Sequence, residues 1–151
     1  LALSMNEHVS CSNYVGDAID MAVEKGFSKI LLVGHIGKLI KLALGLRNTH
    51  SSMGDGRMEA LVACALEAGA DAHLLRQVLS SVTTDAALKW IEDVGLLEET
   101  MRQVKRRVEE TLQRWVDEEI RLGCICFTKD PARILFMTEK TEELITEWRM
   151  P

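Results

Sequence analysis

The chain has 151 residues, of which 47% are hydrophobic and 27% are charged, and its net charge at neutral pH is −5. This composition excludes a disordered chain, and the acidic balance argues against a general nucleic-acid-binding protein. No hydrophobic run approaches the ~20 residues that a membrane-spanning helix needs, so no membrane contact is expected. The length fits one domain over 1–151, and because residue 1 is Leu, the natural N-terminus is expected further upstream.

The N-terminal part predicts a strand, a helix and a second strand in close succession. A short strand is expected at 7–11, after which Ser12 and Asn13 are typical helix-capping residues. An apolar stripe with helical spacing predicts a helix over 14–25. The uninterrupted apolar run that follows predicts a strand at 29–33, covered on both faces and central in the sheet. This order predicts a right-handed strand–helix–strand unit with parallel pairing.

The second helix is predicted to begin near Gly37. Its sheet-facing side consists of apolar residues, namely Leu39, Ile40, Ala43 and Leu44. Lys38 and Lys41 lie three residues apart and are expected on a neighbouring face of the helix. The polar, glycine-containing segment 48–56 is predicted to form a loop whose backbone can approach a ligand closely.

The rest of the chain is predicted to be mostly helical. Four helices are expected, at 57–68, at 73–79, at 85–94 with Thr84 as the cap, and over the long amphipathic stretch 97–122. Two strands at 124–127 and 133–137 then form either a terminal hairpin or two strands of the main sheet, and a last helix runs to about residue 148. The predicted fold is therefore α/β, with a mostly parallel sheet covered by helices, a long amphipathic helix and a C-terminal strand pair.

The turn after the second predicted strand is the first candidate site. Gly34, His35, Gly37 and Lys38 follow that strand directly, and ligands of open α/β folds bind where strands end and helices begin. The spacing does not match a P-loop, because only two residues separate the glycines and Leu39 stands where a Ser or Thr would bind magnesium. A dinucleotide fingerprint is also excluded, since the third glycine is missing. A glycine-lined turn with a lysine can still hold an anion.

Positive charge is concentrated in one part of the sequence. Residues 29–59 contain five Lys and Arg against two Asp and Glu, a net charge of +3, so the remainder of a chain whose total is −5 carries −8. This basic segment predicts an anionic small ligand, and it is equally compatible with a helix face that is merely solvated.

Two histidines, His35 and His50, are candidates for moving a proton or orienting a ligand. The alternative is a structural histidine that hydrogen-bonds a neighbouring carbonyl group. A metal shared by the two is not expected, because no third ligand lies at a suitable spacing. Asp55, Arg57 and Glu59 form either a capped helix start with internal salt bridges or a set of ligand contacts.

Several of these segments closely resemble one family in both order and spacing. They are Ser-Asn-Tyr-Val-Gly-Asp at 12–17, Leu-Leu-Val-Gly-His-Ile-Gly-Lys-Leu-Ile-Lys at 31–41, Asn-Thr-His-Ser at 48–51 and Asp-Gly-Arg-Met-Glu at 55–59, with looser similarity at 83–87 and 124–136. The segments resemble the C-terminal half of the cobalt-precorrin-5B C(1)-methyltransferases, the CbiD family of anaerobic cobalamin biosynthesis. The resemblance implies a cytoplasmic enzyme with S-adenosylmethionine as methyl donor and a cobalt-corrin precursor as acceptor, methylated at C-1. Cobalt then enters only as part of the substrate.

The resemblance also implies a set of site residues, in which His35 and His50 are the candidate proton acceptors. The residues expected to bind the substrate or the methyl donor are Asn13, Gly16, Asp17, Gly34, Gly37, Lys38, Lys41, Asn48, Thr49, Ser51, Asp55, Arg57 and Glu59. Among them, the three basic side chains would bind carboxylates of the corrin. Asn13, His35, Lys38, His50 and Asp55 are expected to converge around one cleft at the carboxyl end of the second predicted strand.

Two features of the sequence depart from the family pattern. Members of the family are more than twice as long, and their N-terminal half has no counterpart here. The chain is therefore expected to be the C-terminal domain of a two-domain enzyme, inactive without the missing domain. In addition, Ser52 and Gly54 stand where bulkier residues are expected.

The alternative function is a non-catalytic binding module for an anionic metabolite or a partner protein, and an oligomer is compatible with either function.

Overall fold

The computed structural model of the chain describes residues 8–149. Its helices are α1 (Val15–Glu24), α2 (Ile36–Leu39, continued by a 3-10 segment Ile40–Leu44), α3 (Arg57–Glu67), α4 (Ala72–Leu79), α5 (Thr84–Asp93), α6 (Leu97–Trp115) and α7 (Glu139–Arg149). Its strands are β1 (Lys29–His35), β2 (Arg121–Lys129) and β3 (Ala132–Met137), and a further 3-10 turn covers Ser51–Met53. The predicted α/β class is confirmed. None of the helices between residues 8 and 149 is long and apolar enough to cross a membrane.

The three strands form one sheet in the order β1-β2-β3. β1 pairs with β2 in parallel, in a register that runs from Lys29 opposite Arg121 to His35 opposite Phe127. β2 and β3 are antiparallel, so the sheet is mixed and only one of its two pairings is parallel. The two expectations for the C-terminal strands are both met in part, because β2 and β3 form a hairpin and β2 also pairs with the other strand of the sheet.

The prediction that β1 is central is wrong, because β2 occupies the middle and β1 lies at the edge. The predicted strand at 7–11 would have been its second neighbour, but the described part of that segment, 8–11, is not a strand. The parallel partner of β1 is β2, and all the helices from α2 to α6 lie between these two strands in the sequence. The predicted strand–helix–strand unit therefore does not form. As a result, the Val33 side chain is 56% exposed.

The start of α1 also differs from the prediction. Tyr14 is the capping residue, and its side chain makes no capping hydrogen bond. Ser12 instead adopts a positive φ of 50°, and Asn13 binds Thr49 in a loop far along the sequence. The two polar residues thus join the N-terminal segment to the rest of the fold, and they do not cap the helix.

The two faces of the sheet are covered by different layers. Ile30 and Leu32 of β1 pack against the main core, which is formed by buried residues of α2 to α6 and of the sheet. The opposite face is covered by α7, which approaches β2 closely because Gly123 has no side chain. A Cβ atom there would lie 2.9 Å from the Thr141 hydroxyl and 3.1 Å from Leu144. α7 is also anchored by Thr138 and Thr141, whose hydroxyls accept hydrogen bonds of 2.8 Å and 3.0 Å from the Cys124 N–H.

Three details of the helices correct the sequence prediction. Because the second helix tightens into a 3-10 segment at Ile40, its later residues are rotated, so that Lys41 is buried and Leu44 is exposed. α5 is capped by Thr83, whose hydroxyl accepts a hydrogen bond of 3.2 Å from Ala86 N–H, and not by the buried Thr84. α6 ends at Trp115, earlier than predicted, because the chain must turn before β2 begins.

Candidate functional site

His35 lies at the carboxyl end of β1, where it caps α2. Its Nδ1 atom accepts a hydrogen bond of 3.0 Å from the Gly37 N–H. Its Nε2 atom lies 3.7 Å from the Asp85 carboxylate, which accepts a hydrogen bond of 2.7 Å from the Thr128 hydroxyl. The ring also meets Phe127 edge-on, with the ring centroids 5.9 Å apart. We name His35, Gly37, Asp85 and Thr128 the strand-end cluster.

The hydrogen bonds of His35 define which nitrogen carries its proton. An N–H group can donate only to a bare ring nitrogen, so Nδ1 is unprotonated and the neutral ring carries its hydrogen on Nε2. That N–H faces the Asp85 carboxylate at a distance that is long for a direct hydrogen bond but short enough for electrostatic attraction. In this arrangement the ring is a hydrogen-bond donor, and its only lone pair is already occupied.

The two glycines of the turn serve local packing. A Cβ atom on Gly34 would lie 3.0 Å from the Leu39 side chain, which is in the core. A Cβ atom on Gly37 would lie 3.2 Å from Nδ1 of His35 and would crowd the capping hydrogen bond. The requirement for glycine at both positions is therefore explained by contacts within the chain.

A second group of site residues surrounds the buried amine of Lys41. Its Nζ atom donates hydrogen bonds of 3.1 Å to the Thr49 carbonyl and 3.3 Å to the Gly54 carbonyl, and it lies 3.6 Å from the Asp55 carboxylate. Asp55 in turn accepts hydrogen bonds of 2.5 Å and 2.9 Å from the Arg57 guanidinium. The guanidinium, assisted by the Lys41 charge, holds the pKa of Asp55 below its usual range. We name Lys41, Thr49, Gly54 and Asp55 the loop clamp.

The loop clamp also holds the N-terminal motif in place. Thr49 donates a backbone hydrogen bond of 2.9 Å to the Asn13 carbonyl and a side-chain hydrogen bond of 3.3 Å to the Asn13 amide oxygen. In the same loop, Asn48 accepts a hydrogen bond of 2.9 Å from the His50 N–H. The motifs around Asn13 and 48–55 are therefore in contact, and their joint assignment to one site stays a prediction.

His50 repeats the arrangement seen at His35. Its Nδ1 atom caps the 3-10 turn by accepting a hydrogen bond of 3.1 Å from the Ser52 N–H, and the Ser52 hydroxyl lies 2.7 Å from the same nitrogen. The neutral ring therefore carries its proton on Nε2, as His35 does. Because His50 is exposed, this N–H can donate to a bound molecule.

Gly16 contacts Arg47 and not an open cleft. Its N–H donates a hydrogen bond of 2.9 Å to the Arg47 carbonyl, and a Cβ atom at this position would lie 2.6 Å from the Arg47 side chain. The guanidinium of Arg47 binds the Asp20 carboxylate at 2.5 Å and lies 4.9 Å from the centre of the Trp115 ring. This contact fixes α1 against the end of α6.

Most of the predicted basic segment is used within the chain. Lys29 binds Glu147 at 2.5 Å, and Lys41, Arg47 and Arg57 have the partners described above. Lys38 is the exception, since it is exposed and its amine contacts no partner among residues 8–149. The exposed side chains of the remaining predicted residues, Asp17, Ser51 and Glu59, likewise form no hydrogen bond or ion pair within that range.

The predicted residues thus fall into two groups. Asn13, Lys41, Thr49, Asp55 and Arg57 are joined by direct contacts, and Asn48 and His50 belong to the same loop. No side-chain hydrogen bond or ion pair within the described range joins this group to the strand-end cluster. Their convergence around one cleft stays a prediction. A groove of about 520 Å³ between α6 and β3 contains none of these residues.

Sequence reasoning did not assign roles to two residues of the strand-end cluster, Asp85 and Thr128. Asp85 belongs to the loosely similar segment 83–87, which was the available signal, whereas nothing in the sequence placed Thr128 beside it. Across residues 8–149, no cluster of three or more His, Cys, Asp and Glu is arranged to hold a metal ion.

Comparison with known proteins places this arrangement in a family. Residues 48–138 match the family model described as "CbiD, C-terminal domain". Proteins named cobalt-precorrin-5B C(1)-methyltransferase are similar to the chain. The relative from Ruminiclostridium cellulolyticum is 35% identical over 83% of this chain and 33% of its own length. The relative from Methanocaldococcus jannaschii is 39% identical over 80% of this chain and 33% of its own length.

A third relative, from Alkaliphilus oremlandii, is 37% identical over 74% of this chain and 31% of its own length. The chain therefore spans about a third of the length of the curated relatives it matches. No solved structure matches the chain. The matched domain covers more than half of the chain and includes the whole loop clamp except Lys41. On these grounds the chain belongs to the CbiD family.

Proposed function

We propose that this chain is the C-terminal part of a cytoplasmic enzyme that transfers a methyl group from S-adenosylmethionine to C-1 of cobalt-precorrin-5B in anaerobic cobalamin biosynthesis. The observation that carries the proposal is the similarity, over 74–83% of the chain, to relatives that share the name cobalt-precorrin-5B C(1)-methyltransferase. The internal contacts of the family's motifs support it, because Asn13, Thr49 and Asp55 are held in one connected loop system.

The corrin substrate is anionic, since it carries acetate and propionate side chains. Lys38 suits a carboxylate of this substrate, because its exposed amine has no partner within residues 8–149. Arg57 is bound to Asp55 through two of its five N–H donors, so the remaining donors can contribute a second contact. Lys41 is buried, and its role is to shape the loop.

The strand-end cluster suits the methyl donor. The Asp85 side chain is 42% exposed, and only one of its carboxylate oxygens accepts the Thr128 hydroxyl, so the other can accept hydrogen bonds from ribose hydroxyls. The donor supplies an electrophilic methyl group on a sulfonium sulfur. The task of the protein is to align this group with the ring carbon and to exclude water.

The histidines orient the ligands as hydrogen-bond donors. In both rings Nδ1 is occupied as a helix or turn cap, so Nε2–H is the available donor. His50 is exposed, whereas the Nε2–H of His35 faces the Asp85 carboxylate at 3.7 Å. A role as proton acceptor requires Nδ1 to release its capping N–H and expose its lone pair. The imidazolium formed in this way at His35 would face the Asp85 carboxylate, 3.7 Å from Nε2.

The chain does not catalyse the reaction alone. A macrocycle and S-adenosylmethionine must be enclosed together for in-line transfer, and such enclosures commonly form between two domains. The two-thirds of the relatives' length that has no counterpart in this chain supplies the other wall.

Two measurements test the proposal. Calorimetry of this chain with S-adenosylmethionine, and separately with cobalt-precorrin-5B, should detect binding of at least one of them. A chimera in which this chain replaces the matching third of the Ruminiclostridium cellulolyticum relative should convert cobalt-precorrin-5B, whereas the 151-residue chain should not. No binding together with an inactive chimera would favour the non-catalytic binding module. Turnover by the chain alone at the relative's rate would disprove the need for a second domain.

A further inference from the structure

The outer edge of β1 has no strand beside it in the described part of the chain. β1 pairs only with β2, and the Ser28 carbonyl accepts a hydrogen bond of 2.8 Å from the Arg121 N–H. Backbone groups of successive strand residues point to alternate sides. The N–H groups of Ile30 and Leu32 therefore face β2, while those of Leu31 and Val33 face outward.

The sequence and pairing of β1 lack most of the features that normally protect an exposed edge strand. Natural edge strands are short, carry charged side chains or proline, or are interrupted by a bulge. β1 is 7 residues long, contains no proline, and pairs with β2 without a register shift. Its lysine, Lys29, stands at the very start and binds Glu147. The middle of the strand is apolar, with Val33 56% exposed.

β1 lies outside the matched C-terminal domain but is joined to it by hydrogen bonds. The family model begins at residue 48 and leaves β1 out, yet β1 pairs along its full length with β2, which lies inside the matched region. The strand has a sequence counterpart in the Ruminiclostridium cellulolyticum relative, because a continuous match over 83% of 151 residues has to include residues 29–35. β1 therefore connects the C-terminal domain to what precedes it.

We propose that β1 is an internal strand in the longer enzyme, and that a strand from the part which this chain lacks pairs with its outer edge, an inference that rests on the function proposed above. The unprotected edge requires a cover, and residues 8–11, the described part of the strand predicted at 7–11, do not form a strand. The relatives' additional length supplies one. Continuing the sheet past β1 places the second part of the enzyme beside His35, so the strand-end cluster lies at the junction of the two parts.

Hydrogen exchange tests the pairing directly, with adjacent residues of one strand as the matched control. In the 151-residue chain, the Leu31 and Val33 amides should exchange at least about tenfold faster than those of Ile30 and Leu32, at any protein concentration. In the full-length Ruminiclostridium cellulolyticum relative, all four aligned amides should exchange slowly. The same alternating pattern in the full-length relative would overturn the proposal.

Two other outcomes would also overturn it. Slow exchange of Leu31 and Val33 in the dilute chain would mean that the edge is covered from within, and protection that increases with concentration would mean that a second copy covers it. In the chimera, Val33→Pro removes only an outward N–H and should accelerate exchange at Leu31 about tenfold, while leaving the fold of the 151-residue chain intact. Leu32→Pro is the comparison, because it removes a backbone hydrogen bond to β2 and should disrupt the sheet.

These readouts do not depend on turnover. An active chimera with an exposed β1 edge would remove this inference and leave the proposed function. A covered edge in a chimera that binds neither S-adenosylmethionine nor cobalt-precorrin-5B would leave this inference and remove the proposed function. If the proline variant does not fold, the exchange comparison between the unmodified chain and the full-length relative still tests whether the edge of β1 is covered.

Discussion

The ammonium of Lys41 lies 3.1 Å from the carbonyl oxygen of Thr49, and both residues are buried. Removing a charged amine from water is unfavourable unless polar groups replace the lost hydration. Here the Thr49 and Gly54 carbonyls and the Asp55 carboxylate replace it. The loop that carries His50 is thus closed around one side chain, and its shape depends on that side chain.

Replacing Lys41 by Met should destabilise the chain. The buried Thr49 carbonyl loses its donor, and an unsatisfied buried group costs about 1–3 kcal/mol, whereas Gly54 is exposed and its carbonyl can bind water instead. Urea denaturation should show this loss, and hydrogen exchange should accelerate within 48–55. Lys38→Met, at an exposed position on the same helix, is the control and should change stability by less than about 0.5 kcal/mol. Equal effects in both variants would contradict the structural role of Lys41.

Lys38→Glu should weaken binding of cobalt-precorrin-5B by at least about tenfold, because it replaces an attractive charge contact by a repulsive one. The affinity should be measured by calorimetry at low salt, in the chimera if the chain alone binds too weakly. Lys140→Glu, which makes the same charge change at an exposed position of α7, should leave the affinity unchanged. Unchanged affinity in both variants would identify Lys38 as an ordinary solvated residue.

Nitrogen NMR of the imidazole rings should show His35 and His50 in the Nε2–H form when they are neutral. The reason is that Gly37 and Ser52 N–H groups occupy Nδ1 in the two rings. Gly37→Ala should shift this equilibrium at His35, because the new methyl group would lie 3.2 Å from Nδ1, and should leave His50 unaffected. A mixture of both tautomers at His35 in the unmodified chain would show that the cap is not formed.

Acid should weaken the attachment of α7. Hydrogen bonds from Arg121, and then from Lys29, lower the pKa of Glu147 to about 2 from an ordinary value of 4.5. A carboxylate with a lowered pKa stabilises the fold above its unfolded-state pKa, and this contribution disappears as the pH falls from 4.5 towards 2. Glu147→Gln should therefore flatten the pH dependence of the unfolding free energy in that window, whereas Glu142→Gln, exposed on the same helix, should not. Identical profiles for both variants and the unmodified chain would disprove this attachment.

Gly16→Ala should destabilise the chain by about 1–3 kcal/mol, because the added methyl group overlaps Arg47 and forces it away from Trp115. Loss of the Arg47 contact should also change the Trp115 fluorescence. Asp17→Ala, the exposed neighbour, provides the comparison and should have little effect. A Gly16→Ala variant as stable as the Asp17→Ala variant would show that α1 tolerates a side chain there.

The helices were predictable because their signals are local. The spacing of apolar residues predicted α1, α3 and α4 to within two residues, and glycines mark the ends of α1 and α3. The order of the strands was not predictable in this way, because the partner of β1 is determined by packing between segments that are far apart in the sequence. An apolar run indicates burial, but β1 is buried mainly on the face that carries Ile30 and Leu32.

The same distinction applies to the candidate site. The motifs around Asn13 and Thr49 were assigned to one site from their resemblance to a family, and their side chains are in contact. The inward position of Lys41 could not be predicted, because a 3-10 segment changes the helical period by a fraction of a turn per residue. Asp85 reaches His35 only because α5 begins beside the carboxyl end of β1, which is a property of the tertiary structure.

The parallel pairing of β1 with β2 has a consequence for how the chain is made. A ribosome completes β1 and all the helices from α2 to α6 before the strand that hydrogen-bonds with β1 has been synthesised. The nascent chain therefore carries β1 without β2 while residues 36–120 are synthesised, and pairings between such distant segments form slowly. We expect transient contact with chaperones during this interval, because the apolar strand exists before the strand that pairs with it.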